Sequence, residues 1–414
     1  MQETLRIGLE NNYDIQITRN NERISDNNVT LGNAGFLPTA NITSGYSVRN
    51  SNSDQFPRSG DDVISSRNSN TGAFDAGVSL SWSIFEGFRI QTNYKRLQEL
   101  QTIGELNTRL AIEDLVANLT AEYYNYVHQQ LRLNTLRQAV ELSRERLRIV
   151  EIRYQVGNLS RYDLQQARVD FNADSSLFIQ QQEALNSSGI NLNRLMGIDV
   201  NKQFVTEDTT IYFNPFLSKD NLLESTMNNN VVLLLTEQNR VLSELELQTL
   251  ESRNFPYLRL NTGYGFTHQD FSAGNFNRQR NWGPNVGVTV GYTLFDGFNR
   301  RREQQNQRIV IENRELEIER RILALQSDFA NMWLSYQNNI DLTNLETESL
   351  ENAKLNYEIA MDQYLVELIS GFELRQAQIS LLNAEQRLLT AQYRTKLFEI
   401  SLLQISGRIG EVLD

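Results

Sequence analysis

The sequence predicts a mainly helical fold with a small transmembrane β component. Three features of the chain support this prediction: an internal duplication, heptad rows of apolar residues in both halves, and four segments in which apolar and polar residues alternate strictly. A duplication indicates one structural unit that is used twice. Heptads predict long antiparallel coiled-coil helices, whereas strict alternation predicts strands with one apolar and one polar face.

Two sets of matching residues define the duplication. Pro38 and Tyr46 recur 218 positions later, and a longer set that begins at Gly77 recurs 210 positions later. Since the offset changes between Tyr46 and Gly77, the polar residues 49–72 are expected to form a surface loop. The predicted organisation is a first repeat at 1–199, a linker at 200–221 and a second repeat at 222–414.

Each repeat is expected to contain a helix, two strands, a very long helix and a second long helix. Proline ends the incoming helix of each repeat, at Pro38 and at Pro256. The predicted bounds in the first repeat are strands at about 40–49 and 73–85 and helices at 87–156 and 160–197. Those in the second repeat are strands at about 257–268 and 285–295 and helices at 297–366 and 370–407.

Apolar rows identify the long helices. One row runs at intervals of seven from Ile112 to Tyr154, and it recurs 210 positions later with a single polar member, Thr343. No proline interrupts residues 87–154, which would span about 100 Å as a helix. Each very long helix is therefore predicted to pack on the helix that follows it. The two hairpin turns are placed near Gly157 and Glu367.

The four strands are too few to close a barrel within one chain. In residues 74–84 every second side chain is apolar, and the other three strands follow the same pattern. A half-buried sheet in a soluble protein is one explanation, but the apolar side chains of the helices are already used in the heptad rows. The alternative is a transmembrane barrel, which needs about eight strands or more and must then be shared by several chains. Gly87 and Gly297 would form the sharp turns from strand to helix.

Composition excludes several classes of protein. The 414-residue chain has a net charge of −12, no cysteine, two histidines and a mean hydropathy of −0.47. No disulfide, metal site, cofactor or nucleic-acid surface is expected from these residues. The longest apolar run, Val231 to Leu235, is far too short for a membrane helix. No common catalytic motif occurs, so the chain is not expected to be an enzyme.

The duplicated unit, with the motif F-[DE]-G-F at 85–88 and 295–298, resembles the TolC-like outer-membrane efflux family over essentially the whole chain. The resemblance implies a homotrimer in the outer membrane of a Gram-negative bacterium. Three chains of four strands would form a 12-stranded barrel, and their helices would form a periplasmic tunnel. It also implies contact with outer-membrane lipid, partnership with a periplasmic adaptor and an inner-membrane transporter, and a signal peptide that has been removed.

The resemblance implies that the channel exports substrates from the periplasm, or through a tripartite pump, to the exterior. The turn of the first helix hairpin is similar to the family's Val-Gly-Leu-Ser/Thr tip, with Asn158 inserted, and the second turn has Glu367 where glycine is usual. The residues expected to bind the adaptor are Val156, Gly157, Asn158, Leu159, Ser160, Val366 and Ser370.

Four further residues match positions at the periplasmic entrance of the family's channels. Glu373 aligns with a constricting carboxylate, and Gln376 stands where a second acid often occurs. Asp163 and Tyr364 match a latch that links neighbouring hairpins and holds the entrance closed, whereas Ile369 replaces an arginine that helps in some relatives. A solvated surface position is the alternative role for Glu373, and packing at the end of a heptad row is the alternative for Tyr364.

Two other kinds of protein fit parts of the pattern. A soluble coiled-coil scaffold would explain the heptads, and a periplasmic adaptor would explain one helix hairpin but no duplication. The residues do not distinguish among drugs, metal ions and proteins as the exported substrate. Within the linker, residues 209–213 are expected to form a short strand.

Overall fold

The computed structural model describes residues 1–56, 58, 60, 63–203, 206, 208, 210–273 and 276–412. The chain is mainly α-helical with one four-stranded sheet, which confirms the predicted fold class. It forms two compact units, and each unit draws on both repeats. The first unit comprises Met1–Glu22, Glu105–Thr236 and Glu317–Asp414, and the second comprises Arg23–Gly104 and Glu237–Leu316.

Nine α-helices are assigned among the described residues. Four are long and carry the heptad rows: α4 (Arg89–Gln155), α5 (Arg161–Met196), α8 (Asn299–Leu365) and α9 (Gly371–Ile405). The shorter ones are α1 (Gln2–Asn11), α2 (Tyr13–Asn28), α3 (Leu31–Ala34), α6 (Lys219–Asn229) and α7 (Val231–Glu251). In the part of the chain that the structure describes, none of these helices is both long and apolar enough to cross a membrane.

The four strands form one antiparallel sheet in chain order. They are β1 (Thr39–Gln55), β2 (Ile64–Glu86), β3 (Tyr257–Phe271) and β4 (Arg278–Gly291). Residues 49–55 and 64–72 pair within the β1–β2 hairpin, where Arg49 lies opposite Thr71. The expectation of a loop at 49–72 is therefore wrong for these residues. In an antiparallel hairpin the backbone N–H and C=O groups of the two strands bond to each other. The strands can therefore extend into water without an apolar face.

One face of the sheet exposes the apolar side chains that alternate along the strands. Ile42 on β1 is 83% exposed and Val286 on β4 is 73% exposed. Soluble proteins rarely expose a contiguous apolar area of this kind. Within the second unit the sheet therefore presents a surface that is suited to an apolar environment.

The core of the first unit comes from both repeats. Its fully buried side chains include Leu119 and Leu192 from the first repeat and Phe329, Tyr336 and Leu402 from the second. Heptad rows supply most of them, as the sequence predicts. Thr343, the polar member of the second row, and Thr395 on α9 are also buried, and their hydroxyl oxygens lie 3.3 Å apart, so each provides the other with a polar contact.

The linker between the repeats contains no regular element at its described residues before α6 begins at Lys219. Residues 210–213 form no strand, which corrects the prediction for that part of the segment, and Thr209 lies outside the described residues. Ile211 is buried in the core, and the backbone N–H of Asn214 donates to the Glu399 carboxylate over 3.1 Å. Contacts with core side chains, rather than a strand ladder, therefore hold the linker in position.

Candidate functional site

The two helix hairpins of the first unit turn in the same way. After α4, Gly157 adopts a left-handed conformation with φ of 85°, and the N–H of Asn158 donates to the carbonyl of Arg153 over 2.8 Å. After α8, Glu367 adopts a similar φ of 63°, and the N–H of Leu368 donates to the carbonyl of Gln363 over 2.9 Å. These are the bonds of a Schellman turn, in which glycine is usual. Glu367 thus occupies the position in the second turn that Gly157 occupies in the first. Its left-handed backbone conformation lowers the folding stability by about 1 kcal/mol or more.

A capping box begins the second helix of each hairpin. The Asp163 carboxylate accepts the N–H of Ser160 over 3.0 Å, and the N–H of Asp163 donates to the Ser160 hydroxyl over 3.2 Å. Glu373 and Ser370 make the equivalent bonds of 2.7 and 3.3 Å. The bonds that Ser370 donates lower the pKa of Glu373, so this exposed carboxylate is charged at neutral pH. Gln376 lies one turn further along α9 and is also exposed.

Arg153 joins the two hairpin turns. Its guanidinium carbon lies 5.0 Å from the centroid of the Tyr364 ring, and its Nη2 donates to the carbonyls of Tyr364 and Leu365 over 3.4 and 3.3 Å. The Glu367 carboxylate is 3.8 Å away. Sequence reasoning missed Arg153, although a cation in the last turn of a helix, as here in α4, is a common partner for terminal carbonyl groups.

Tyr364 is only 3% exposed, and burial raises the pKa of its hydroxyl. The charge of Arg153 opposes this rise, whereas the charges of Asp163 and Glu367 add to it. The structure thus brings Asp163 and Tyr364 into one electrostatic environment. The carboxylate of Asp163 bonds to Ser160, and the side chain that covers the tyrosine ring is Arg153.

The turns also expose apolar side chains. Val156 and Val366 are each about two-thirds exposed, and Leu368 is exposed to a similar degree. In contrast, Leu159 and Ile369 pack against the small apolar clusters beneath the two turns. Isolated apolar side chains are normal on a surface, but a group of them at one end of a helical hairpin is typical of a protein-binding site.

A buried polar network lies further along the same helices. Arg375 on α9 donates two bonds to the Asp174 carboxylate on α5, over 2.6 and 2.7 Å. Burial disfavours the charged form of Arg375, but the neighbouring carboxylates prevail and raise its pKa. Asp174 also accepts from Ser143 on α4, whose hydroxyl in turn lies 3.3 Å from the amide nitrogen of Gln378. This network links the two hairpins, and no local motif in the sequence predicts it.

Two tight turns connect strands to the long helices in the second unit. Gly87 has a φ of 59° and Gly297 a φ of 69°, and in each case the following phenylalanine is also left-handed. A Cβ atom at Gly87 would lie 2.0 Å from the carbonyl oxygen of Ser252, so glycine is required there for space as well as conformation. Phe88 packs edge-on against Phe255 at 5.8 Å.

The acidic residue of each turn holds the start of its helix. Asp296 accepts the backbone N–H of Arg300 over 3.0 Å and the guanidinium Nε of the same residue over 3.1 Å. Glu86 binds Arg89 and also Arg259 on β3, the latter over 3.0 Å. A negative charge is favourable at a helix N-terminus. Across the part of the chain that is described, no cluster of three or more histidine or acidic side chains is arranged to hold a metal ion.

Comparisons with known proteins agree with this architecture. Three solved structures are similar over 98% of this chain: the CmeC outer membrane channel of Campylobacter jejuni, the outer membrane protein VceC of Vibrio cholerae, and the open state of the MtrE outer membrane channel of Neisseria gonorrhoeae. Their TM-scores are 0.82, 0.78 and 0.77, their identities 16%, 13% and 14%, and the covered shares of their own chains 85%, 95% and 88%. At these identities the likeness concerns the fold.

A comparison with curated protein sequences gave no significant match. A family model described as outer membrane efflux protein matches residues 5–198 and 222–408, which together are most of the chain. Both matched segments carry the helices, strands and turns described above. The chain therefore belongs to the outer membrane efflux protein family.

Proposed function

We propose that this chain is one subunit of a homotrimeric outer-membrane channel-tunnel. The observation that carries the proposal is the sheet of the second unit, which exposes apolar side chains on one face and has β1 and β4 as its two edges. A sheet of four strands does not close, whereas three copies of four strands give a 12-stranded barrel. Closure would remove the unpaired edges and turn the apolar face toward lipid.

The long helices of three copies would form the wall of a periplasmic tunnel. Their heptad rows pack each hairpin internally. Their exposed faces carry polar residues, which suit a water-filled passage, together with apolar side chains such as Ile179 and Leu323, which other copies would cover. A chain with a net charge of −12 gives a trimer with three times that charge. Such a wall attracts cations and repels anions.

The helix turns are the proposed entrance of the tunnel. Three copies of Glu373 around a narrow axis would repel one another and attract cations, and Gln376 would line the next turn of the passage. In this proposal Asp163 and Tyr364 belong to the latch that holds the entrance closed. Arg153 supports that role because it covers Tyr364 and binds the end of α8.

We infer that the tip binds a periplasmic adaptor, which would connect the channel to an inner-membrane transporter. The exposed side chains of Val156, Val366 and Leu368 offer an apolar contact at the end of the hairpins. Gly157, Asn158 and Ser160 are also exposed there, so backbone and polar groups are accessible beside them. In such a pump, the transporter selects the substrate and this chain provides the exit path.

Planar-bilayer recordings of the purified protein test the proposed entrance. Glu373→Gln should reduce the cation preference of the channel and its block by multivalent cations. Glu141→Gln is the control, because it removes an exposed carboxylate from α4 at a position outside the proposed entrance. Equal selectivity of Glu373→Gln and the wild type would reject the constriction. A monomer that stays soluble without detergent would reject the channel and support the scaffold alternative.

A further inference from the structure

The apolar face of the sheet ends in aromatic side chains toward the hairpin turns. Phe266 on β3 lies opposite Trp282 on β4, and its ring packs edge-on against Phe74 on β2, with 6.4 Å between the centroids. Tyr46 on β1 lies opposite Phe74. A Cβ atom at Gly72 would lie 2.9 Å from the Tyr46 hydroxyl oxygen, so this hydroxyl points toward the hairpin turn. The four side chains form an aromatic belt, which transmembrane barrels place where hydrocarbon meets the polar headgroups.

The length of strand below the aromatic belt fits a membrane. Leu258 and Phe266 lie on the same face of β3, near the helix end and at the belt. The strand between them is about 26 Å long at a rise of about 3.3 Å per residue. With the usual tilt of barrel strands this gives a band about 20 Å high, close to the apolar band of about 25 Å in such barrels. In the proposed channel the helices are periplasmic, so the aromatic belt lies in the outer leaflet.

Beyond the aromatic belt, the same face carries two arginines. Arg280 on β4 lies opposite His268 on β3, and Arg278 lies opposite Asp270. The Nε of Arg280 donates to Nδ1 of His268 over 3.2 Å, and the Nε of Arg278 donates to the Asp270 carboxylate over 3.0 Å. The Nε2 of His268 lies 3.2 Å from the same carboxylate. The four side chains are thus joined into one rim cluster.

The rim cluster has donor groups available for an anion. Toward the rest of the described chain, Arg278 and Arg280 each bond through Nε, and their Nη atoms make no hydrogen bond. With His268 neutral, two guanidinium groups face the single carboxylate of Asp270, which leaves one positive charge in excess. Guanidinium groups bind phosphate through parallel N–H bonds. The chemistry of the rim cluster therefore suits a phosphate group.

The position of these charges on the sheet is selective. Within residues 267–270 and 278–281, every charged side chain lies on the apolar face, since successive side chains of a strand alternate between faces. The residues of the opposite face are uncharged: Thr267, Gln269, Gln279 and Asn281. Charges that only kept the hairpin in water could lie on either face. Charges that bind a lipid headgroup must lie on the face that meets lipid.

We propose that the rim cluster and the aromatic belt together bind a phosphorylated glycolipid of the outer leaflet, of the lipid A class. Its phosphate accepts hydrogen bonds from the Nη groups of Arg278 and Arg280. Its acyl chains run along the aromatic belt, where Trp282 is two-thirds exposed. A zwitterionic phospholipid fits less well, because its own ammonium group neutralises its phosphate. The inference rests on the proposed channel, which turns this face toward lipid.

Native mass spectrometry of the purified protein in detergent tests this site. The probes are lipid A with two phosphates, the same lipid with both phosphates removed, and phosphatidylethanolamine. The wild type should bind the phosphorylated lipid at least about tenfold more tightly than either other lipid, because only that lipid gains unopposed charge-assisted bonds. The double variant Arg278→Gln/Arg280→Gln should lose about tenfold in affinity for the phosphorylated lipid and bind the dephosphorylated lipid as the wild type does.

Arg49→Gln is the matched control. The strand pairing aligns Arg278 with Val48 on β1, so the adjacent Arg49 is a nearby arginine on the opposite face. This variant should bind lipid A like the wild type.

Equal affinity of the wild type for the phosphorylated and dephosphorylated lipids would overturn the site, and so would equal losses in Arg49→Gln and the double variant. If the protein is then still trimeric by mass, the proposed channel stands without this site. A monomeric mass would overturn both proposals.

Discussion

The guanidinium of Arg153 lies over the ring of Tyr364, with 5.0 Å between its carbon and the ring centroid. The two residues lie in the last turns of α4 and α8, so this contact joins one hairpin turn to the other. A cation over an aromatic ring at a partly exposed site contributes about 0.5 to 1 kcal/mol. The two bonds to the carbonyls of α8 make the contact directional.

Loss of Arg153 should loosen the tip. Arg153→Ala removes the ring contact and the bonds to α8, so we expect a larger single-channel conductance in planar bilayers. Arg153→Lys keeps the charge but loses the planar group, and its conductance should be intermediate. Arg148→Ala is the control, since Arg148 is exposed and pairs with Glu145 in its own helix. If Arg153→Ala and Arg148→Ala conduct equally, the contact does not hold the entrance.

The buried pair of Arg375 and Asp174 should dominate the stability of the hairpin assembly. Arg375→Met leaves the Asp174 carboxylate buried without its main partner, and the expected loss of unfolding free energy is about 3 to 5 kcal/mol. The double variant Arg375→Met/Asp174→Leu should regain much of that loss, because both charges are then removed. Thermal unfolding followed by circular dichroism in detergent measures both effects. A double variant less stable than Arg375→Met would contradict this account.

Stability should fall in mild acid because of His128. Burial and the nearby charge of Arg132 lower the pKa of this imidazole to about 4, and its ring stacks on Tyr393 at 5.0 Å. Below about pH 6.5 the unfolded chain binds a proton that the folded chain does not bind. Stability is therefore fully present above that pH and declines by about 3 kcal/mol as the pH falls to about 4.

The variant His128→Phe isolates this effect, because it keeps an aromatic ring on Tyr393 and cannot be protonated. Unfolding temperatures at pH 7.5 and pH 5.0 should differ less for His128→Phe than for the wild type. Parallel shifts in the two proteins would show that other groups cause the acid sensitivity.

Replacing Glu367 with glycine should stabilise the second hairpin turn. Because Glu367 has a φ of 63°, Glu367→Gly removes a backbone cost of about 1 kcal/mol, and the exposed contact with Arg153 at 3.8 Å contributes little. Amide hydrogen exchange of residues 366–369 should slow in the variant. The reciprocal change Gly157→Glu should accelerate exchange at the other turn. No change in either turn would mean that neighbouring contacts, not the backbone conformation, control local opening.

Features with a regular sequence period could be predicted, whereas long-range polar contacts could not. The row from Ile112 to Tyr154 identified a long helix because its apolar side chains repeat every seven residues. Residues 49–55 and 64–72 were misjudged because a polar hairpin depends on its backbone ladder and leaves no apolar pattern. The pair of Arg375 and Asp174 joins residues 201 positions apart, and neither residue has a local signal.

At the tip, the sequence located the two turns but not the contact that joins them. The resemblance predicts a latch of Asp163 and Tyr364, whereas in the structure the side chain that lies over the tyrosine ring is Arg153. Which side chain covers an aromatic ring depends on how two hairpins pack, and heptad spacing specifies only which faces meet. Serine at 160 and 370 with an acid three residues later is, by contrast, a local capping signal, and both capping boxes form.

The central claim is that copies of this chain assemble into a water-filled channel through a membrane. The most direct measurement is the current through a planar lipid bilayer after addition of the purified, detergent-extracted protein. We predict discrete conductance steps with a preference for cations. A purified trimer that inserts into the bilayer and carries no current under any applied voltage, with Arg153→Ala equally silent, would contradict the claim.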